Sequence, residues 1–208
     1  MIFRKRKIKY EITVPPIDKP FEQFTKEEAK ECFDWYISHI EERIDCLKKF
    51  SGVDLDYSMD SLVTIWSWFI NNTKLRRTSE IKLLLIRIKL MLMLESNYII
   101  ETVLRERSWY FSLETEYIIK DIAVYFGEVC IKNNRSLYWG YYTDTEIDSF
   151  ANMPVLMGFE DKSCDPPFKA SFELNSEVHG VACSLCDGTA TEEALINAYK
   201  KWQYMIHG

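Results

Sequence analysis

The period of the apolar positions changes along the chain. From Lys26 to about Phe50 they fall at Ala29, Phe33, Tyr36, Ile37, Ile40, Ile44 and Leu47, a spacing of three and four that predicts a long amphipathic helix. Thr25 and Glu28 stand before it in the arrangement of a capping box. A second helix is predicted from Met59 to about Asn71, with Met59, Leu62, Val63, Trp66, Phe69 and Ile70 on one side. Residues Ser79 to Arg107 read as one long third helix. Its charges sit on two edges, Glu80 and Arg87 opposite Lys82 and Lys89, with broad apolar faces between, so it is expected to be sandwiched between other elements. A fourth helix, about Glu114 to Lys132, should bury Ile118, Ile119, Ile122, Phe126, Val129 and Cys130.

Alternation with a period of two marks the strands. "IKYEITV" at residues 8–14 predicts a half-buried strand that "PPIDKP" ends. After residue 133 the pattern shifts, and "SLYWGYYTD", "MPVLMGFED" and "FKASFEL" read as strands of a small sheet. "EVHGVACSLC" reads as a further strand, with Val181, Cys183 and Leu185 inward, entering a turn at Asp187-Gly188. Thr189 and Glu192 then introduce a closing helix from Glu193 to Ile206, with Ala194, Leu195, Ala198, Trp202 and Met205 inward. The expected fold is α+β: a mainly helical N-terminal half packed against a small C-terminal sheet, with a closing C-terminal helix. A single domain over 1–208 is expected, a subdivision near residue 133 being the alternative.

Composition agrees with a folded domain carrying a substantial core: 208 residues, 47% hydrophobic and 28% charged, with seven glycines and six prolines. A net charge of -6 argues against a nucleic-acid partner, despite the basic "FRKRKIKY" at the N-terminus. No apolar run follows that segment, so a secretory leader is not expected. The most apolar stretch, residues 81–100, is interrupted by Lys82, Arg87, Lys89 and Glu95, each costing roughly 2.5 to 3.5 kcal/mol near a bilayer centre, and no membrane partner is expected. Six cysteines without a leader then imply free thiols and a cytoplasmic location.

Three sets of residues have chemistry to weigh. Cys183-x-x-Cys186 with His179 and Cys164 contains the donor types of a zinc site, and on a strand His179 and Cys183 would share a face. The same pair as a redox centre is weakened by Asp187, whose charge raises a thiol pKa. The plainer reading makes these cysteines small hydrophobes of a strand, with no cofactor. Cys32, His39 and Cys46 repeat every seven residues, roughly 10 Å apart along a helix, too far to share an ion. Asp121 and Glu128 lie seven apart on the fourth helix with Lys132 four further on, which reads as a solvated face with an ion pair. The alternative is an enzyme using Asp121 or Glu128 as acid or base in a pocket beside Trp139. No G-x-S-x-G, P-loop or G-x-G-x-x-G occurs.

The segment from Tyr138 to Asp148 offers a binding surface. Trp139 and Tyr141 should point one way and Tyr138 and Tyr142 the other, followed by Asp144, Glu146 and Asp148. Together with Asp121 and Glu128, the residues Trp139, Tyr141, Tyr142 and Asp144 make an acidic, aromatic surface suited to a basic protein, the plainer alternative being that the rings fill the core of a small sheet. "TEYIIKDIAVYFGEV" followed by "SLYWGYY" resembles a loose group of small bacterial α+β domains in which a helix ending in Gly-Glu leads to a tryptophan-bearing strand. The likeness covers roughly residues 113–160, with Gly127, Glu128 and Trp139 as its matching positions. Some of that group are thought to be immunity proteins against secreted toxins, so the resemblance implies a non-catalytic, cytoplasmic, immunity-type protein with a toxin as partner.

Overall fold

The computed structural model describes residues 9–143, 150–163 and 165–206 and has the expected α+β architecture. Helix α1 (Lys26–Ser51) starts at a capping box in which Thr25 and Glu28 satisfy each other's backbone N–H, and ends where Gly52 turns left-handed. Helix α2 (Met59–Asn72) is capped by Ser58. Helix α5 (Leu113–Asn133) is the centre of the molecule and packs on α1, on α2 and on α6 (Leu174–Asp187). Ile119, Ile122, Tyr125, Phe126 and Val129 of α5 are essentially inaccessible, each stabilising the fold by about 1.5 to 3 kcal/mol through burial. The closing helix α7 (Ala194–Gln203) lies on α2, where Trp66 donates its indole N–H to the Thr191 carbonyl.

A three-stranded antiparallel sheet of β3 (Tyr138–Gly140), β4 (Val155–Asp161) and β5 (Phe168–Phe172) follows α5. Gly158 has φ +101° at the irregular register between Leu156 and Phe159, and a Cβ there would stand 2.0 Å from the Ser136 carbonyl oxygen.

Three expectations are corrected. Residues 9–14 form no strand. Their backbone is instead taken up by helix side chains, Tyr10 N–H donating to the Glu114 carboxylate and the Glu11 carbonyl accepting from Arg43. The long helix over 79–107 is two helices, α3 (Glu80–Leu92) and α4 (Asn97–Glu106). They are separated by a turn at left-handed Leu94 and by Ser96, which caps α4 through the Ile99 N–H. This hairpin stands between the short strands β1 (Arg76–Arg77) and β2 (Trp109–Tyr110), which pair antiparallel at its base. Nor is α3 sandwiched, because none of its residues is buried.

The third correction concerns "EVHGVACSLCDG", which is helix α6. Leu174, Val178 and Ala182 recur every four residues and are its buried positions, the Glu173 carboxylate caps the first turn, and Gly188 at φ +75° ends it. Asp187-Gly188 therefore terminates a helix, not a strand. Among the described residues no helix is long and apolar enough to cross a membrane.

Gly158→Ala is expected to cost roughly 2 to 4 kcal/mol through strain and collision with Ser136. Thermal denaturation should show a midpoint lower by roughly 5 to 10 °C.

Candidate functional site

The residues singled out in the sequence gather around α5. Asp121 is not on a solvated face: it is 3% exposed and paired with Arg43 of α1, whose Nε lies 3.0 Å from one carboxylate oxygen while Nη2 donates to the other. Tyr10 donates its hydroxyl to the same carboxylate, and Arg43 also donates to Thr13 Oγ1 at 2.6 Å and to the Glu11 carbonyl at 2.8 Å. Burial raises the Asp121 carboxyl above the ordinary range, opposed by the hydrogen bonds from Arg43 and Tyr10. Burial disfavours the Arg43 cation too, but its bonds to Asp121 more than offset this and keep its pKa high.

Glu128 is half-buried and accepts the Trp139 indole N–H at 2.8 Å. The indole lies directly on α5 because residue 127 is glycine, where a Cβ would be 2.1 Å from Trp139 Cζ2. The Gly-Glu pair does not end the helix, which runs on to Asn133, but makes the notch and the acceptor for the tryptophan of β3. Trp139 and Tyr141 point the same way, as their spacing predicts. Trp139 meets Tyr36 and Tyr141 meets Phe33, both on α1. Tyr142 is half-buried, and Asp144 lies outside the described residues.

Between these elements is a cavity of about 250 Å³. Trp35, Tyr36, Tyr117 and Trp139 give it aromatic walls, Arg43 and Asp121 are on it, and Glu173 and Leu174 border it at the start of α6. Burial pushes the Tyr36 phenol well above its ordinary pKa, with Glu173, Glu128 and Asp121 adding to the effect, so the phenol stays a neutral donor in a negative surround. The two carboxylates of the enzyme alternative, Asp121 and Glu128, are both engaged, one with Arg43 and Tyr10 and the other with Trp139.

Sequence reasoning passed over the surface beside this cavity. Glu27, Glu31, Asp34, Glu41, Glu42 and Asp45 of α1 are all exposed and, at 100° per residue, fall within an arc of about 100° along roughly 27 Å of helix. Lys30 pairs with Asp34, and among the described residues the other five carboxylates enter no ion pair. Trp35 stands at the edge of this ridge and on the rim of the cavity. The helical spacing of the acids was the available signal, masked by Lys30 among them and by the lysines at 26, 48 and 49 at either end.

The cysteine and histidine set is spread over α6. His179 Nδ1 is 3.7 Å from Cys183 Sγ and its Nε2 is 3.4 Å from Glu116, so the ring lies between the two groups rather than converging with them on one point. Among the described residues no cluster of three or more His, Cys, Asp or Glu is placed to hold a metal ion, and Cys164 lies outside those residues. Burial raises the Cys183 and Cys186 thiols, with Glu116 and Asp187 reinforcing Cys183, and Cys183 and Asp187 reinforcing Cys186. Both sit in the last turns of α6, where the helix dipole is negative.

No family model matches the chain, and searches of curated proteins and of solved structures return no match either.

Two outcomes follow from this geometry. Asp121→Ala should cost about 3 to 5 kcal/mol in urea denaturation by leaving Arg43 buried without its counter-ion, and adding Arg43→Met should recover part of that loss. Cys183, although exposed, should react with iodoacetamide at neutral pH several-fold more slowly than free cysteine, followed by mass spectrometry; rapid reaction would revive the redox reading.

Proposed function

We propose that the chain is a non-catalytic protein-binding protein whose docking surface for a basic partner is the exposed face of α1 and the aromatic cavity beside it. The observation that carries this reading is the ridge of carboxylates from Glu27 to Asp45 on the exposed face of α1, with Trp35 between its edge and a cavity walled by Trp35, Tyr36 and Trp139 further round the same helix. Carboxylates on a rim raise the rate of encounter with a cationic surface, while a half-buried aromatic pocket provides the anchoring contact. A lysine or arginine side chain entering the cavity would lie against tryptophan and tyrosine faces, the arrangement of a cation–π contact.

An immunity-type role, masking a basic toxin, is the specific form of this proposal, and the resemblance over residues 113–160 supports it. Gly127, Glu128 and Trp139, which carry that resemblance, serve to fix β3 on α5 and thereby form one wall of the cavity.

Affinity capture from the native host with the protein as bait tests the reading. A basic protein should be retained, released by moderate salt, and bound about 10- to 100-fold more weakly by the Glu31→Lys, Glu41→Lys, Glu42→Lys triple variant. Equal retention by that variant would refute the assignment of the surface.

A further inference from the structure

Helix α3 carries two apolar stripes, and the fold uses one. Leu83, Ile86 and Leu90 are half-buried, and Leu83 borders the same groove as Leu104 of α4, which is buried as is Ile100. The opposite stripe, with Ile81, Leu84, Leu85, Ile88, Met91 and Leu92 at spacings of one, three and four, is exposed throughout. It runs on into the hairpin tip, where Leu94 is 91% exposed. An apolar surface of this extent is uncommon on a protein that meets only water.

The charges around the stripe define what can cover it. Residues 74–92 hold Lys74, Arg76, Arg77, Lys82, Arg87 and Lys89, all exposed, against the one carboxylate Glu80, in a chain of net charge -6. Lys82 and Lys89 line one edge of the stripe; the other carries Glu80 and Arg87, and Arg87 is ion-paired with Glu101 of α4 at 2.8 Å. A second copy is a poor fit. Antiparallel pairing about a two-fold axis sets the Lys82/Lys89 edge against itself, with no carboxylate on that edge to relieve it. The covering surface must be anionic along the Lys82/Lys89 edge and near the base, which carries Lys74, Arg76 and Arg77, and must also take the exposed Leu94 tip of a hairpin that stands on a two-stranded base. A flat bilayer with anionic headgroups meets both conditions without a preformed groove.

We propose that α3 and the tip of its hairpin attach this protein peripherally to an anionic lipid surface, the cations at the headgroups and the Ile81–Leu92 stripe in the acyl boundary. This is attachment in the plane of the interface, a different matter from the spanning that Lys82, Arg87 and Lys89 exclude. It involves the opposite charge and a different element from the α1 ridge.

Co-sedimentation of the full chain with vesicles tests it. Vesicles of phosphatidylcholine with about one third phosphatidylserine should retain about tenfold more protein than phosphatidylcholine alone at low salt, and the difference should shrink at high salt. Leu85→Glu with Leu92→Glu, both at exposed positions, should abolish retention while the circular dichroism spectrum stays unchanged, and Lys82→Glu with Lys89→Glu should reduce it. No retention on anionic vesicles overturns the proposal, as does retention that both variants keep. A dimer seen by light scattering that Leu85→Glu with Leu92→Glu dissociates, without vesicle binding, would give the stripe to a second copy instead. An acidic protein captured through the same stripe, again without vesicle binding, would give it to a protein groove.

Discussion

The Arg43–Asp121 pair joins three segments that are far apart in the chain. Arg43 belongs to α1 and Asp121 to α5, and the pair draws in Tyr10, Glu11 and Thr13 from the extended N-terminal segment. Two charges taken out of water cost several kcal/mol each, a cost met only when the geometry is good and the remaining donors and acceptors are filled. Here they are filled: both carboxylate oxygens accept, and the guanidinium donates to the carboxylate, a hydroxyl and a backbone carbonyl. Such a pair contributes little net stability but fixes position, because any shift of α1 along α5 breaks several bonds at once. It also explains why residues 9–14 lie on helices as an extended strap without a neighbouring strand.

The same helix fixes the C-terminal half. Gly127 leaves a notch into which the Trp139 indole fits, and Glu128, one residue on, accepts its N–H. The sheet is thereby placed against α5 at a defined point, and β3 in turn brings Tyr141 and Trp139 to α1. The cavity is what remains between α1, α5, β3 and the start of α6 once these two attachments are made. Its walls are aromatic because tryptophan and tyrosine can bury a large face while their polar ends find partners or keep access to the cavity.

Charge is segregated on this frame. The exposed face of α1 is a line of carboxylates, while residues 74–92 hold six exposed cations against one acid. The net charge of the chain conceals this arrangement, since the two regions cancel in the sum. A surface that is acidic on one helix and basic and apolar on a projecting hairpin can engage two different classes of partner without either competing for the other's contacts.

Helices α1, α2 and α5 were legible in the sequence to within about a residue, since their apolar spacing and the serine or threonine caps are local signals. The break at Met93 to Ser96 was not, because apolar residues on both sides continue the period through the turn and only Ser96 marks the restart. Helix α6 was misread because Val181, Cys183 and Leu185 also alternate, and a short apolar run satisfies both periods; the Glu173 cap and Leu174, Val178 and Ala182 decide for the helix. The sequence alone determined which segments are amphipathic and where most of them begin. It also showed that α3 has two apolar faces. Only the tertiary structure decided which faces are covered. Asp121 finds Arg43 across 78 positions, Trp139 finds its notch at Gly127, and α3 is left with one stripe uncovered, because burial depends on what packs nearby and not on the residue's own neighbours in the chain.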